Sequence, residues 1–186
     1  MKNGIIIVVA PSGAGKSSFV DRIIQEVPNL VDVITYTTRS VRQGERQGFP
    51  YFFIDHAEFQ KKVTEGFFVE YAKVHTNMYG TPINQILEAW EMNKTVIMDI
   101  DVQGADTFRA KFPDRVKTVF IMPPSIEELR RRVIKRDGGE PPDLEIRMLN
   151  AQREIARSQE FDFQVVNDHF ETSFAQFKKI IEELTA

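Results

Sequence analysis

Cysteine is absent from this 186-residue sequence. That excludes disulfides and thiolate metal sites, and it favours a reducing compartment. A charge excess of one sign is also lacking. Lys and Arg number 24 against 27 Asp and Glu, for a formal net charge of -3. A generally basic, nucleic-acid-binding surface is thereby excluded, although a local basic pocket is not. Long hydrophobic runs are missing too. The early run Ile5 to Val9 follows Lys2 and is much too short to span a bilayer. It is also too short for a signal-peptide core with a cleavage site, and glycines and a lysine follow it. A cytoplasmic protein is expected, with neither nucleic acid nor membrane as partner, and as monomer or homodimer. Histidine is sparse. His56, His75 and His169 stand apart without metal-ligand spacing, so each reads as a surface or structural residue. No nucleophile–base pair, internal repeat or long low-complexity segment is evident.

What is present fits one α/β domain. Ile5-Ile6-Ile7-Val8-Val9 is a continuous β-branched run, expected to be a strand buried on both faces of a parallel sheet. A glycine-containing loop follows. Then Phe19, Val20, Ile23, Ile24 and Val27 recur at helical spacing until Pro28. From Val31 to about Thr81 the texture changes to short strand candidates, such as Tyr51 to Ile54, and the polar loop Arg39 to Gly48. This reads as a small, partly antiparallel insert. Ile83, Ile86, Leu87 and Trp90 suggest a return helix. Thr95–Ile100, Thr118–Met122 and Gln164–Val166 are further strands, and their alternation with helices implies a parallel sheet. Ser125 with Glu128 is a capping-box signature at the start of an arginine-rich helix. Gly138 to Pro142 breaks that helix. A polar helix from about Leu144 to Arg157 follows, and Phe174, Phe177, Ile180, Ile181 and Leu184 mark a closing helix.

The strongest chemical signal is Ala10-Pro11-Ser12-Gly13-Ala14-Gly15-Lys16-Ser17, a P-loop pattern between a predicted strand and a predicted helix. Glycines let backbone N–H groups curl around phosphates, and the helix N-terminus adds a favourable dipole. Lys16 would reach the terminal phosphates of a nucleoside triphosphate, and the Ser17 hydroxyl would hold Mg²⁺. Asp99 ends a buried strand, where a carboxylate suits the Mg²⁺ shell directly or through water, or is simply a solvated or capping group. Asp101 in an extended segment would point the same way. Arg39 and Arg42 lie in the polar loop, and Arg132 and Arg136 share a helix face ahead of Arg147. Single arginines are usually solvated, as Arg130 and Arg131 are expected to be. Two clusters beside a P-loop suit the charge that develops in phosphoryl transfer.

Taken in order, these residues resemble the guanylate kinase family essentially from end to end. The resemblance rests on the P-loop, Thr37-Thr38-Arg39 with Arg42 and Gly44-Glu45, Tyr51-Phe52-Phe53, and Phe68-Val69-Glu70-Tyr71-Ala72. It continues in Tyr79-Gly80-Thr81, Asp99-Ile100-Asp101-Val102-Gln103-Gly104, Pro123-Pro124-Ser125 and Val166-Asn167-Asp168. It implies a P-loop core of 1–32, 82–124 and 158–186, a GMP-binding insert of 33–81 and a helical lid of 125–157. It implies transfer of the γ-phosphoryl group of Mg·ATP to GMP. Arg39, Arg42, Tyr51 and Tyr79 match the positions that hold the GMP phosphate. Glu70 matches the guanine reader, with Thr35, Thr81 and Asp101 beside the base, and Asp99 is placed at the substrate and metal. Ser12, Gly13, Ala14, Gly15, Lys16, Ser17 and Ser18 match the ATP loop, and Asn167 and Asp168 lie in the adenine-side segment. Lys16, Arg39, Arg132, Arg136 and Arg147 match catalytic positions.

Ala10 stands where glycine usually opens the loop, and Thr35 and Thr81 stand where serine is frequent. The hydroxyls are kept. Two other readings compete. One is a non-catalytic protein-binding module of this fold, which would show an eroded P-loop and lost lid arginines. The other is a kinase acting on a phosphorylated sugar, which would have no use for Glu70, Thr81 and Asp101.

Overall fold

The computed structural model describes residues 3–74 and 76–186, so Lys2 and His75 lie outside the described residues. The main sheet holds five parallel strands in the order β2-β7-β1-β8-β9. They are β1 (Ile5–Val9), β2 (Leu30–Asp32), β7 (Thr95–Asp99), β8 (Val116–Met122) and β9 (Phe163–Val166). β1 is central and fully buried, as its unbroken β-branched run requires. Its residues alternate between two cores. Ile6 and Val8 join Phe19, Val20 and Ile23 of α1 (Lys16–Glu26), Leu129 and Val133 of α5 (Ile126–Asp137), and Phe174, Phe177 and Ile181 of α7 (Phe170–Thr185). Ile5, Ile7 and Val9 face Ile86 and Ala89 of α3 (Ile83–Glu91) and Ala105 and Phe108 of α4 (Val102–Lys111).

A second sheet of order β4-β3-β6-β5 occupies the segment expected to be an insert. It comprises β3 (Tyr36–Thr37), β4 (Phe52–Phe53), β5 (Phe68–Val74) and β6 (Asn77–Pro82). Only the β3–β4 pairing is parallel, so the sheet is mixed as expected. Helix α2 (His56–Thr64) covers it, with Phe59 stacked on Phe68 at 4.8 Å. Gly80 lies beneath that pair, where a Cβ would come within 2.9 Å of Phe68 Cδ1.

The predicted helix after Ser125 forms as α5, with Ser125 Oγ accepting from the Glu128 N–H at 3.1 Å. Only half of a capping box is made. The Glu128 carboxylate turns to Arg131 and Arg132, at 2.8 Å each. Gly138, at φ 72°, ends the helix, and α6 (Leu144–Ala156) packs beside it. Arg130, expected to be a solvated surface residue, lies at the surface and pairs there with exposed Glu145 of α6 at 2.6 and 2.8 Å. Three elements lack a strong signature in the periodicity. β2 is three residues long with a polar end. The caps of α2 and α4 are legible in retrospect, since Asp55 accepts from the Glu58 N–H and Asp101 from the Gly104 N–H.

Candidate active site

The P-loop begins directly after β1 and runs into α1 at Gly15, whose φ of 95° admits the chain to the helix that carries Lys16 and Ser17. Gly13, at φ 92°, is packed so closely that a Cβ would lie 2.7 Å from Val133 Cγ2. The loop therefore rests on α5. Its other support is Asn167, which is 6% exposed and donates through Nδ2 to the Ala14 carbonyl at 2.8 Å. That same amide stands 2.9 Å from where a Gly15 Cβ would be. The Asn167 side chain thus braces the loop backbone. Asp168 is exposed and presents its carbonyl to Arg132 at 3.5 Å.

Ser17 Oγ donates to Asp99 Oδ2 at 2.7 Å. β7 pairs with β1, so the carboxylate ends its strand beside the loop as expected. A hydroxyl and a carboxylate side by side form a hard oxygen pair suited to Mg²⁺ together with phosphate oxygens. Among the described residues there is no cluster of three or more His, Cys, Asp or Glu that could hold a metal. Asp32, on edge strand β2, is a carboxylate that the motifs do not reveal. Burial, with help from Asp99 and Asp21, pushes its carboxyl up to about 7. Glu154 of α6 is another. Burial raises it to about 7, opposed by the charge of Lys16 and reinforced by that of Asp101. It is carried by α6, whose Leu144, Met148 and Ala151 are buried in the core.

In the second sheet, Glu70 is 8% exposed and accepts from Thr81 Oγ1 at 2.6 Å across the β5–β6 pair. Burial pushes its carboxyl up to about 7, against the lowering effect of Thr81, and the charge of Asp101 adds to the rise. Asp101 caps α4 through Oδ1 to the Gly104 N–H at 2.7 Å. A Cβ at Gly104 would stand 3.4 Å from both Asp101 Oδ1 and Glu70 Oε2. Asp99 and Asp101 engage different partners, one at the P-loop and one at the start of α4 beside Glu70. Thr35 is half-buried and pairs its carbonyl with Phe52.

Arg39 is set by its own loop. Its Nη2 donates to Glu45 Oε1 at 2.7 Å, while Glu45 Oε2 accepts the Arg42 N–H at 2.8 Å. Hydrogen bonding from Arg39 holds the Glu45 carboxyl below the usual range. The Arg39 guanidinium lies over the Tyr51 ring at 5.4 Å, and Tyr51 meets Tyr79 edge-on at 5.8 Å. Burial, followed by the charge of Asp99, pushes the Tyr51 phenol well above its ordinary range, so it stays a hydrogen-bond donor. Fully buried Thr37 underpins this group by donating to the Met78 carbonyl.

From the other side, Arg132 donates to the Asn167 carbonyl at 3.0 Å and pairs with Glu128. Arg136 Nη1 approaches Ser12 Oγ at 3.4 Å. Arg147 pairs with Asp137 at 2.9 Å, and its Nε lies 2.9 Å from Asp143 as an ion pair without hydrogen-bond alignment. A cleft of about 470 Å³ is lined by Arg42, Arg136 and Asp137. One arginine of the loop between β3 and β4 and one of α5 thus line the same open space. Ser18, Ala14 and Lys16 remain where the loop pattern puts them, at the start of α1 or just before it.

Known proteins share this chain's sequence and fold. A family model described as guanylate kinase matches residues 2–184. A guanylate kinase of Bdellovibrio bacteriovorus is 62% identical over the full length of both chains. One of Francisella tularensis is 41% identical over 98% of each. The crystal structure of guanylate kinase from Anaplasma phagocytophilum superposes with a TM-score of 0.81 at 29% identity, covering 98% of this chain and 86% of that one. No helix among the described residues is long and apolar enough to cross a membrane. On its P-loop, its buried Glu70–Thr81 pair and these relatives, the chain belongs to the guanylate kinase family.

Proposed function

We propose that this guanylate kinase carries out its reaction, phosphorylation of GMP by ATP, in the cleft that Arg42 and Arg136 line together. That juxtaposition carries the reading. It brings a guanidinium from the acceptor side within one open space of a guanidinium poised over the P-loop. The GMP phosphate is held by Arg39, Arg42, Tyr51 and Tyr79, since two guanidiniums and two phenol O–H groups suit a dianion. Glu70 accepts from the N1–H and 2-amino group of guanine, with Thr81, Thr35 and Asp101 around the base. Adenine lacks that donor pair.

On the donor side, the backbone of Ser12 to Ser18 cradles the ATP phosphates and Lys16 contacts the terminal ones. Ser17 and Asp99 would hold Mg²⁺, which would supply charge neutralisation for the phosphates. Asn167 and Asp168 border the adenine side, the former by bracing the loop. Arg132, Arg136 and Arg147 stabilise the equatorial charge as a GMP phosphate oxygen displaces ADP in line. The insert (33–81) and the lid (125–157) close on the core when both nucleotides are present, excluding water and suppressing ATP hydrolysis. The protein acts in the cytoplasm.

The test is a coupled assay with Mg·ATP and each of GMP, AMP, CMP and UMP. Rapid ADP release with GMP and little with the others is expected. Equal use of AMP would overturn the role of Glu70, and absence of turnover with GMP would overturn the catalytic reading as a whole.

A further inference from the structure

Two of the lid arginines meet on one carboxylate. Asp137 is the last residue of α5, directly before the helix-ending Gly138. Its Oδ1 accepts from Arg136 Nε at 2.7 Å, and its Oδ2 from Arg136 Nη2 at 3.2 Å and Arg147 Nη1 at 2.9 Å. Arg147 belongs to α6, so a single side chain ties together guanidiniums from both helices. A carboxylate on two N–H groups of one edge fixes the plane of a guanidinium. For Arg136 the edge taken is Nε and Nη2. The remaining Nη1 is the nitrogen that approaches Ser12 Oγ at the mouth of the P-loop. The Arg136 side chain is 44% exposed, so packing alone does not hold it there. Asp137 also lines the cleft with Arg42 and Arg136. Hydrogen bonding from Arg136, with the charge of Arg147, keeps its carboxyl ionised below the usual range.

We propose that Asp137 is a positioning residue for phosphoryl transfer. It holds Arg136 and Arg147 as one unit, with Arg136 Nη1 directed at the P-loop, so both cations meet the transferring group already oriented. The proposal rests on the donor-side assignment of these two arginines. Orientation of this kind lowers the barrier without adding affinity in the ground state. A carboxylate that merely competed with phosphate for the arginines would do the opposite and weaken ATP binding.

Steady-state kinetics of Asp137→Ala and Asp137→Asn, with both nucleotides varied, separate these outcomes. The Ala variant should lose about tenfold in kcat with KM for ATP changed less than about twofold. The Asn variant keeps one acceptor oxygen and should fall between it and the wild type. An Asp137→Ala/Arg147→Ala double variant should lose less than the product of the single effects, because the two residues act as a unit. Thermal unfolding of each variant identifies any loss of folded protein, and Asp137→Asn, which keeps size and shape, decides if the Ala variant unfolds. An unchanged kcat, or a lowered KM for ATP with kcat kept or raised, would overturn the proposal. Arg136→Ala is the control for the underlying assignment: full activity there would overturn that assignment, whereas its loss beside a fully active Asp137→Ala would overturn only the role of Asp137.

Discussion

Replacing Glu70 by Gln should stabilise the free protein at alkaline pH while damaging its use of GMP. The carboxyl is 8% exposed, and burial raises it from 4.5 to about 7. Between those values the folded protein binds more protons than the unfolded chain, so Glu70 makes stability fall as pH rises through that window. Above about 7 the cost is full, on the order of 3 kcal/mol. Gln carries no such cost, and its amide can still pair with the Thr81 hydroxyl that now lies 2.6 Å from Oε1. Unfolding in urea at pH 5 and pH 8 should therefore show the variant gaining on the wild type by up to about 3 kcal/mol between the two conditions. Guanine binding should respond in the opposite sense. One charge-assisted acceptor is lost, worth about 1.5–3 kcal/mol, or roughly 10- to 150-fold in kcat/KM for GMP. KM for ATP should not move, because Glu70 lies on β5, outside the P-loop. The wild-type GMP affinity should also strengthen as pH rises through about 7, and this dependence should flatten in the variant, which separates it from titration of the GMP phosphate. Equal losses for both nucleotides, or a stability difference that ignores pH, would refute the reasoning.

Two other substitutions probe the supports of the site. Gly80→Ala would bring a Cβ within 2.9 Å of Phe68 and 3.0 Å of Phe59, whose rings stack on each other. It should destabilise the protein by about 1–3 kcal/mol and raise KM for GMP more than KM for ATP; urea unfolding unchanged from wild type would count against that packing. Asn167→Ala would leave the Ala14 carbonyl without its 2.8 Å donor. It should cost about 1–3 kcal/mol and weaken ATP binding in calorimetry while GMP binding holds, and undiminished ATP affinity would contradict the bracing role.

The local features were legible because their causes are local. β1 is a continuous β-branched run, so the sequence alone places it inside a parallel sheet. Gly13 and Gly15 occupy the left-handed backbone that the P-loop pattern demands. Ser125 sits at the N-terminus of α5 because its hydroxyl satisfies a helix N–H. The order of motifs was enough to indicate the family and the nucleotide it reads. β2, α2 and α4 were harder, being short or capped without a strong apolar period.

By itself, then, the sequence determined the phosphate loop, the strand beneath it and the set of residue types available to two nucleotides. Tertiary structure decided which of those residues meet. The amide of Asn167 reaches a carbonyl 153 positions away. Glu70 on β5 finds Asp101 and Gly104 at the start of α4, and that burial, absent from any local pattern, sets its proton affinity. Arg136 and Arg147 share Asp137 only because α5 and α6 pack side by side. Backbone conformation and amphipathic period depend on neighbours in the chain, whereas desolvation and charge pairing depend on neighbours in space, and only the folded chain supplies those.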